Sequence, residues 1–145
     1  MPIYLWLRFE FFETITNIPE NVNRKLLNIF MIGVGALCCK YIKNFGLMVI
    51  FCNNGEIIII DKDNIVLSNL NRQFLFNQND VKENNSKSYY AKREELKINN
   101  NMNIKDYQLL VNDNSTDIFD EEFFEKQNII ILDIDNLKAR RYLDN

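Results

Sequence analysis

Residues suited to phosphate chemistry recur along the chain: a pair of glycines, several strand-end carboxylates, a run rich in amide and guanidinium groups, and a lysine at a helix start. Gly33-Val34-Gly35-Ala36 follows one apolar run and opens an amphipathic one, the context in which backbone amides and a helix N-terminus hold phosphate. By itself such a pair also makes an ordinary tight turn between strand and helix. The third glycine position of the dinucleotide-binding pattern is Cys38, whose small side chain predicts local strain rather than loss of helix-on-strand packing. Asp61 closes a second apolar run, in the region about 20 residues past a glycine turn where an acidic side chain reaches a ribose hydroxyl pair. Turn and carboxylate together point to an adenosine-containing ligand and leave ATP and NAD equally open. Asp63, near enough to compete for that role, is read as loop structure facing away from Asp61.

The segment Ser68-Asn69-Leu70-Asn71-Arg72-Gln73-Phe74-Leu75-Phe76 comes next. A polar run with one arginine is ordinarily a solvated loop. Directly after a nucleotide-type strand end it can fold back over phosphates, which a guanidinium binds bidentately. Lys87, at the start of the following helix, adds a mobile point charge. Asp135-Asn136 follows a further apolar run and brings a carboxylate to the same end of the sheet. That placement suits Mg2+, which takes one or two carboxylates plus phosphate oxygens. A plain N-cap for residues 137–144 accounts for it equally well.

Elements that could position these groups are legible in the pattern. Ile29 to Ile32, Ile57 to Ile60, Tyr107 to Val111 and Ile129 to Leu132 read as four strands, the second a continuous apolar run of the doubly buried kind. Helices are predicted up to about Phe45, over Ser86 to Ile98, from near Thr116 where Ser115-Thr116-Asp117 offers caps, and after Asn136, carrying Arg140 and Arg141. Residues 62–85, polar and rich in asparagine, form a long functional loop. This alternation predicts an α/β fold, Rossmann-like, with a mainly parallel sheet, helices on both faces and ligands beyond the carboxyl ends of the strands.

Composition narrows the chemistry. The chain has 145 residues, room for one core. Its 17 basic and 20 acidic side chains leave a net charge of −3, so no broad cationic field exists for nucleic acid or an anionic membrane. No histidine is present, which removes histidine-based catalysis and metal ligation. Cys38, Cys39 and Cys52 lack the spacing of a disulfide framework or a zinc site and fit a reducing intracellular setting, with the first two as packing residues. The apolar start, interrupted by Arg8, Glu10 and Glu13, is shorter than the ~20 residues of a membrane span. Residues 1–28 are therefore read as a strand or packing segment of uncertain placement.

SNLNRQFLF after a strand-closing acid, LDIDNLKARRYLD and IGVGALCCKYIKNFGL together resemble the ubiquitin-activating enzymes and their ThiF-type relatives over about Ile29 to Asn145. The resemblance implies a truncated second adenylation half, with residues 29–145 a partial ATP-binding domain whose sheet is incomplete on its C-terminal side. It implies ATP-dependent adenylation of the C-terminus of ubiquitin or a ubiquitin-like protein, with ATP and Mg2+ as cofactors. Gly33, Gly35 and Ala36 would approach the nucleotide, Asp61 the ribose, and Asn69, Arg72 and Lys87 the phosphates, with Gln73 adjoining; Lys82 is the rival to Lys87, which is favoured because Lys-Ser opens the family's helix. Asp135 would hold Mg2+ with Asn136 beside it, and Arg72, Lys87 and Asp135 would carry the catalysis. Expected partners are ubiquitin or its relatives, the remaining half of the enzyme and a ubiquitin-conjugating enzyme, in cytoplasm or nucleus. Cys38 in place of glycine, Lys40 in place of glutamate and the missing approach segment before the first strand depart from the pattern. The thioester-forming cysteine falls outside the chain. Two other readings stand beside this one: an NAD-dependent oxidoreductase and an inactive binding fragment.

Overall fold

The structure is a computed structural model that describes residues 3–5, 27–48, 55–112, 115 and 118–134, the first three as backbone only. Strands β1 (Ile3–Leu5), β2 (Asn28–Ile32), β3 (Glu56–Ile60), β4 (Ile104–Tyr107) and β5 (Ile129–Leu132) form one sheet in the order β1-β5-β2-β3-β4, every pair parallel. The connections carry α1 (Ala36–Leu47), α2 (Gln78–Glu83), α3 (Lys87–Ile98) and α4 (Glu121–Glu125). From β2 the chain builds outward through β3 to β4, then returns past β2 to lay down β5. The strand order therefore reverses between β2 and β5, the switch point at which open α/β sheets bind ligands.

Each central strand feeds two cores. Successive side chains point to opposite faces, so Ile29, Met31, Ile57, Ile59, Ile129 and Ile131 pack with Cys38, Ile42, Phe45, Tyr90 and Ala91 of α1 and α3. Phe30, Ile32, Ile58, Ile60, Ile130 and Leu132 face the other way, toward Val111, Phe119 and the partly buried Phe123 and Phe124. Phe30 is the hub there, with ring centroids 5.1 Å from Phe119 and 4.9 Å from Phe123. Burial on both faces explains why these strands are continuous apolar runs. Helices thus cover both faces, as expected from the sequence.

Three elements differ from expectation. The last strand before the return is Ile104–Tyr107 rather than Tyr107 to Val111, because pairing with β3 ends where Asp61 N–H donates to the Tyr107 carbonyl at 3.1 Å. Leu109 and Leu110, which simulate a strand, are 36% and 46% exposed on the loop beyond. The helix expected near Thr116 instead spans Glu121–Glu125, capped by Asp120, whose side chain accepts from Phe123 N–H at 2.8 Å. Residues 62–85 are not a plain loop: α2 lies within them, fixed by a reciprocal cap in which Asn77 accepts from Asn79 N–H and Asp80 accepts from Asn77 N–H, both at 2.8 Å. Asp80, almost fully buried, then receives Arg93 at 2.6 Å and ties α2 to α3. The helix α3 begins where the sequence placed it, with Ser86 accepting from Tyr89 N–H. Cys52, Thr116, Asp135, Asn136 and the expected last helix with Arg140 and Arg141 lie outside the described residues.

Where α1 crosses α3, Gly46 makes room for a carboxyl group. Glu95 is fully buried, neither of its oxygens has a hydrogen-bond partner, and a β carbon on Gly46 would lie within bonding range of one of them. Burial pushes the Glu95 carboxyl up to about 7, against a smaller opposing pull from the Gly46 backbone. Since the folded state holds this proton more tightly than the unfolded chain, Glu95 lowers stability as pH rises from about 4.5 to 7, by on the order of 3 kcal/mol once fully ionised. Urea midpoints of wild type are therefore expected to fall across that window, and those of Glu95→Gln to stay flatter. Parallel pH profiles for the two proteins would contradict the assignment.

Candidate functional site

Beyond the carboxyl ends of β2, β3 and β5 opens a cleft of about 960 Å³, at the upper end of small-molecule sites. Its floor is the turn from β2 to α1. Gly33 has φ +91° and donates to the Ile60 carbonyl at 2.8 Å. A β carbon there would sit 2.3 Å from the Asp133 carbonyl oxygen, so only glycine fits. Asp61, at the end of β3, braces the same turn: one carboxylate oxygen accepts from Val34 N–H at 2.7 Å and the other from Asp63 N–H at 2.8 Å. Each oxygen retains a second lone pair for a hydroxyl.

The Asn/Arg run supplies one wall. A short 3₁₀ turn, Leu67–Asn69, is closed by the Asn69 side chain accepting from Val66 N–H at 2.9 Å. The Asn69 carbonyl then accepts from the amides of Arg72 and Gln73. That turn sets Arg72 exposed on the wall and Gln73 almost fully buried, its carbonyl oxygen without a hydrogen-bond partner. Arg72 makes no ion pair with any described residue. The opposite wall is the start of α3. Lys87, 9% exposed, donates its amide to the Asp63 carbonyl at 3.0 Å and lies 3.3 Å from the Asp63 carboxylate. Gln108 reaches across from the loop after β4 to Asn64 at 2.6 Å, joining the third side.

Of the residues singled out in the sequence, Gly33, Gly35, Ala36, Asp61, Asn69, Arg72, Gln73 and Lys87 all line this one cleft. Lys82 does not; it lies in α2. Asp63 departs from expectation, lining the cleft beside Lys87: no turn or bend interrupts residues 61–63, and side chains two apart in such a stretch share a face, so it lies on the side of Asp61. Asp133 carries no role in the sequence reading, yet one of its carboxylate oxygens accepts from Gly35 N–H at 3.0 Å and Cys38 N–H at 2.9 Å. A signal for it was present: like Asp61, it directly follows a doubly buried strand.

Cys38 is not strained. It lies in regular helix, and among the described residues Asn84 alone combines a side chain with positive φ. Both helix cysteines are fully buried. Burial, then the nearby Asp133 charge, raises the Cys38 thiol well above its ordinary range and that of Cys39 to about 12. Neither is a thiolate nucleophile near neutral pH. No helix among the described residues is long and apolar enough to cross a membrane.

A parallel α/β sheet with a glycine turn, two strand-end carboxylates and a facing Arg/Lys pair at its switch point defines a Rossmann-like ligand-binding domain. More specifically, the chain belongs to the ThiF family, whose model matches residues 14–145. It is 41% identical over 121 residues to human ubiquitin-like modifier-activating enzyme 6, covering 82% of this chain and 11% of that protein. To ubiquitin-like modifier-activating enzyme 1 of Dictyostelium discoideum it is 36% identical over 136 residues, covering 93% and 13%. The crystal structure of E. coli MccB with ATP superposes with a TM-score of 0.54 at 32% identity, over 62% of this chain and 25% of that one. The chain thus spans roughly a tenth of the length of the curated relatives it matches.

Proposed function

We propose that residues 29–145 form an ATP-binding adenylation domain that activates the C-terminal carboxylate of ubiquitin or a ubiquitin-like protein. The observation that carries this reading is the convergence of the glycine turn, Asp61, Asn69, Arg72, Gln73 and Lys87 on one cleft. Likeness to MccB, whose structure holds ATP, supports the nucleotide. Likeness to the ubiquitin-like modifier-activating enzymes supports the class of acyl substrate.

In this reading the adenosine lies across the strand ends with its ribose against Asp61. A carboxylate oxygen of the protein substrate attacks the α-phosphorus, and the bond to the β-phosphate breaks to release pyrophosphate. Arg72 offers a bidentate clamp for the phosphates, and Lys87 would exchange Asp63 for phosphate oxygen. Both stabilise negative charge growing on the leaving group.

The described residues contain no cluster of three acidic, cysteine or histidine side chains able to cage a metal. Mg2+ binds chiefly through phosphate oxygens and water, with one or two carboxylates. Asp135 would supply the carboxylate, with Asn136 adjoining; the ion's contribution is to neutralise phosphate charge. Partners in this reading are the other adenylation half and a ubiquitin-conjugating enzyme, in cytoplasm or nucleus.

The test is exchange of labelled pyrophosphate into ATP, measured on the activating enzyme that carries this chain, across a panel of ubiquitin-type proteins. Exchange that needs one member of the panel is expected. Exchange indifferent to all of them, or none with any, contradicts the proposal.

A further inference from the structure

We propose that Asp133 occupies the anion position of the glycine turn as an internal carboxylate, which a nucleotide phosphate must displace to reach the amides of Gly35 and Cys38. The inference rests on the reading of the cleft as an ATP site and adds to it a residue that sets affinity for the phosphate portion of the ligand.

Two independent features of the turn carry it. The first is the hydrogen bonding: a single Asp133 oxygen takes both amides at the start of α1, at 3.0 and 2.9 Å. The helix has 12 residues, its own N-cap is Gly35 with no side chain to offer, and its first turn contains no acid. The positive end of its dipole is therefore met from β5 across the switch point. The second feature is space. In phosphate-binding turns the second glycine lets the backbone approach pyrophosphate. Here a β carbon on Gly35 would fall 2.6 Å from the Asp133 carboxylate oxygen already bonded to the turn and 3.1 Å from the other. The hollow left by the missing side chain is filled by the protein's own anion.

A phosphate and this carboxylate cannot share the same two amides, and their like charges repel strongly at such range. If the cradle is open about one-tenth of the time, apparent affinity for a phosphate-bearing ligand falls about tenfold relative to an unblocked turn. Adenosine, lacking phosphate, escapes this effect. Asp63 beside Lys87 places a second internal carboxylate in the same cleft, 3.3 Å from the amine.

Calorimetric titration of wild type, Asp133→Asn and Asp133→Ala with Mg-ATP and with adenosine tests the proposal. Asp133→Asn removes the charge but keeps an oxygen that can accept from the turn, whereas Asp133→Ala removes the blocking group altogether; the asparagine variant keeps the test valid if alanine perturbs the fold. Both variants are expected to bind Mg-ATP about tenfold more tightly than wild type, with adenosine affinity unchanged. A helix cap with no gating role would leave the ratio of the two affinities where it is in wild type. An unchanged or lower ratio in Asp133→Asn, with adenosine still bound, overturns the proposal while leaving the nucleotide site intact. Failure of all three proteins to bind either ligand overturns the site reading itself, and this inference with it.

Discussion

Replacing Arg72 with alanine is expected, under the proposed adenylation, to slow ATP–pyrophosphate exchange by about 10²- to 10³-fold, the usual loss when one preorganised group facing developing charge is removed. Its side chain stands exposed on the cleft wall, unpaired among the described residues, while its backbone is locked by the turn that Asn69 closes. The loss should therefore come from the missing guanidinium and not from unfolding. Thermal unfolding of the variant should match wild type, and Arg72→Lys should restore only part of the rate, because a point charge cannot bind two oxygens in parallel. Lys87→Ala should also be slow, but with a secondary effect on stability, since Lys87 is nearly buried and its loss leaves Asp63 without its partner. Wild-type exchange in Arg72→Ala would remove this residue from the site.

The largest expected effect on folding belongs to Gly33→Ala. At φ +91° an L-residue costs about 1 to 2 kcal/mol, and the new methyl would lie 2.3 Å from a backbone oxygen. That oxygen belongs to Asp133, directly after β5, where strand pairing with β2 still continues through Asp133 N–H to the Ile32 carbonyl at 2.8 Å. Backbone held on both sides cannot move as a side-chain tip can, so overpacking adds about 1 to 3 kcal/mol. A total of about 2 to 5 kcal/mol is a large share of the stability of a domain this size. Urea denaturation should show the loss directly. A midpoint within experimental scatter of wild type would mean that the turn is free to relax. Gly35→Ala is the instructive partner: its methyl meets the Asp133 side chain, which can swing aside, so the expected loss is smaller.

How much of this could be read from the chain itself follows from what each residue buries. Ile29, Ile57 and Ile129 begin runs that face two cores at once, and unbroken apolar runs of that length admit few alternatives to central parallel strands. The stretch from Ser86 to Ile98 read as a helix, and Ser86 supplies its cap. The Leu109-Leu110-Val111 run misled because local pattern carries no register: β4 lies where Ile104 can pair with Ile57, and the leucines fall past the last ladder bond. The helix α2 was hidden in asparagine-rich sequence, although Asn77 and Asp80 stand at the spacing of a reciprocal cap. In the site, Asn69, Arg72 and Gln73 were marked by the resemblance that SNLNRQFLF carries, since a polar run with one arginine is by itself an ordinary solvated loop. Asp133 needed coordinates, since its place depends on which strand lies next to β2, whereas Asp63 stands two residues past Asp61 and so shares its face where the chain continues without a bend.

Backbone amide NMR during a titration with Mg-ATP probes all the proposed contacts at once. With one triphosphate held between the glycine turn, Asp61, the Asn69 to Gln73 wall and Lys87, amides of Gly35, Asp61, Asn69, Arg72, Gln73 and Lys87 should shift together along a single saturation curve. Saturable shifts confined to α4 or to the far edge of the sheet, with these six amides unmoved, would contradict the shared site.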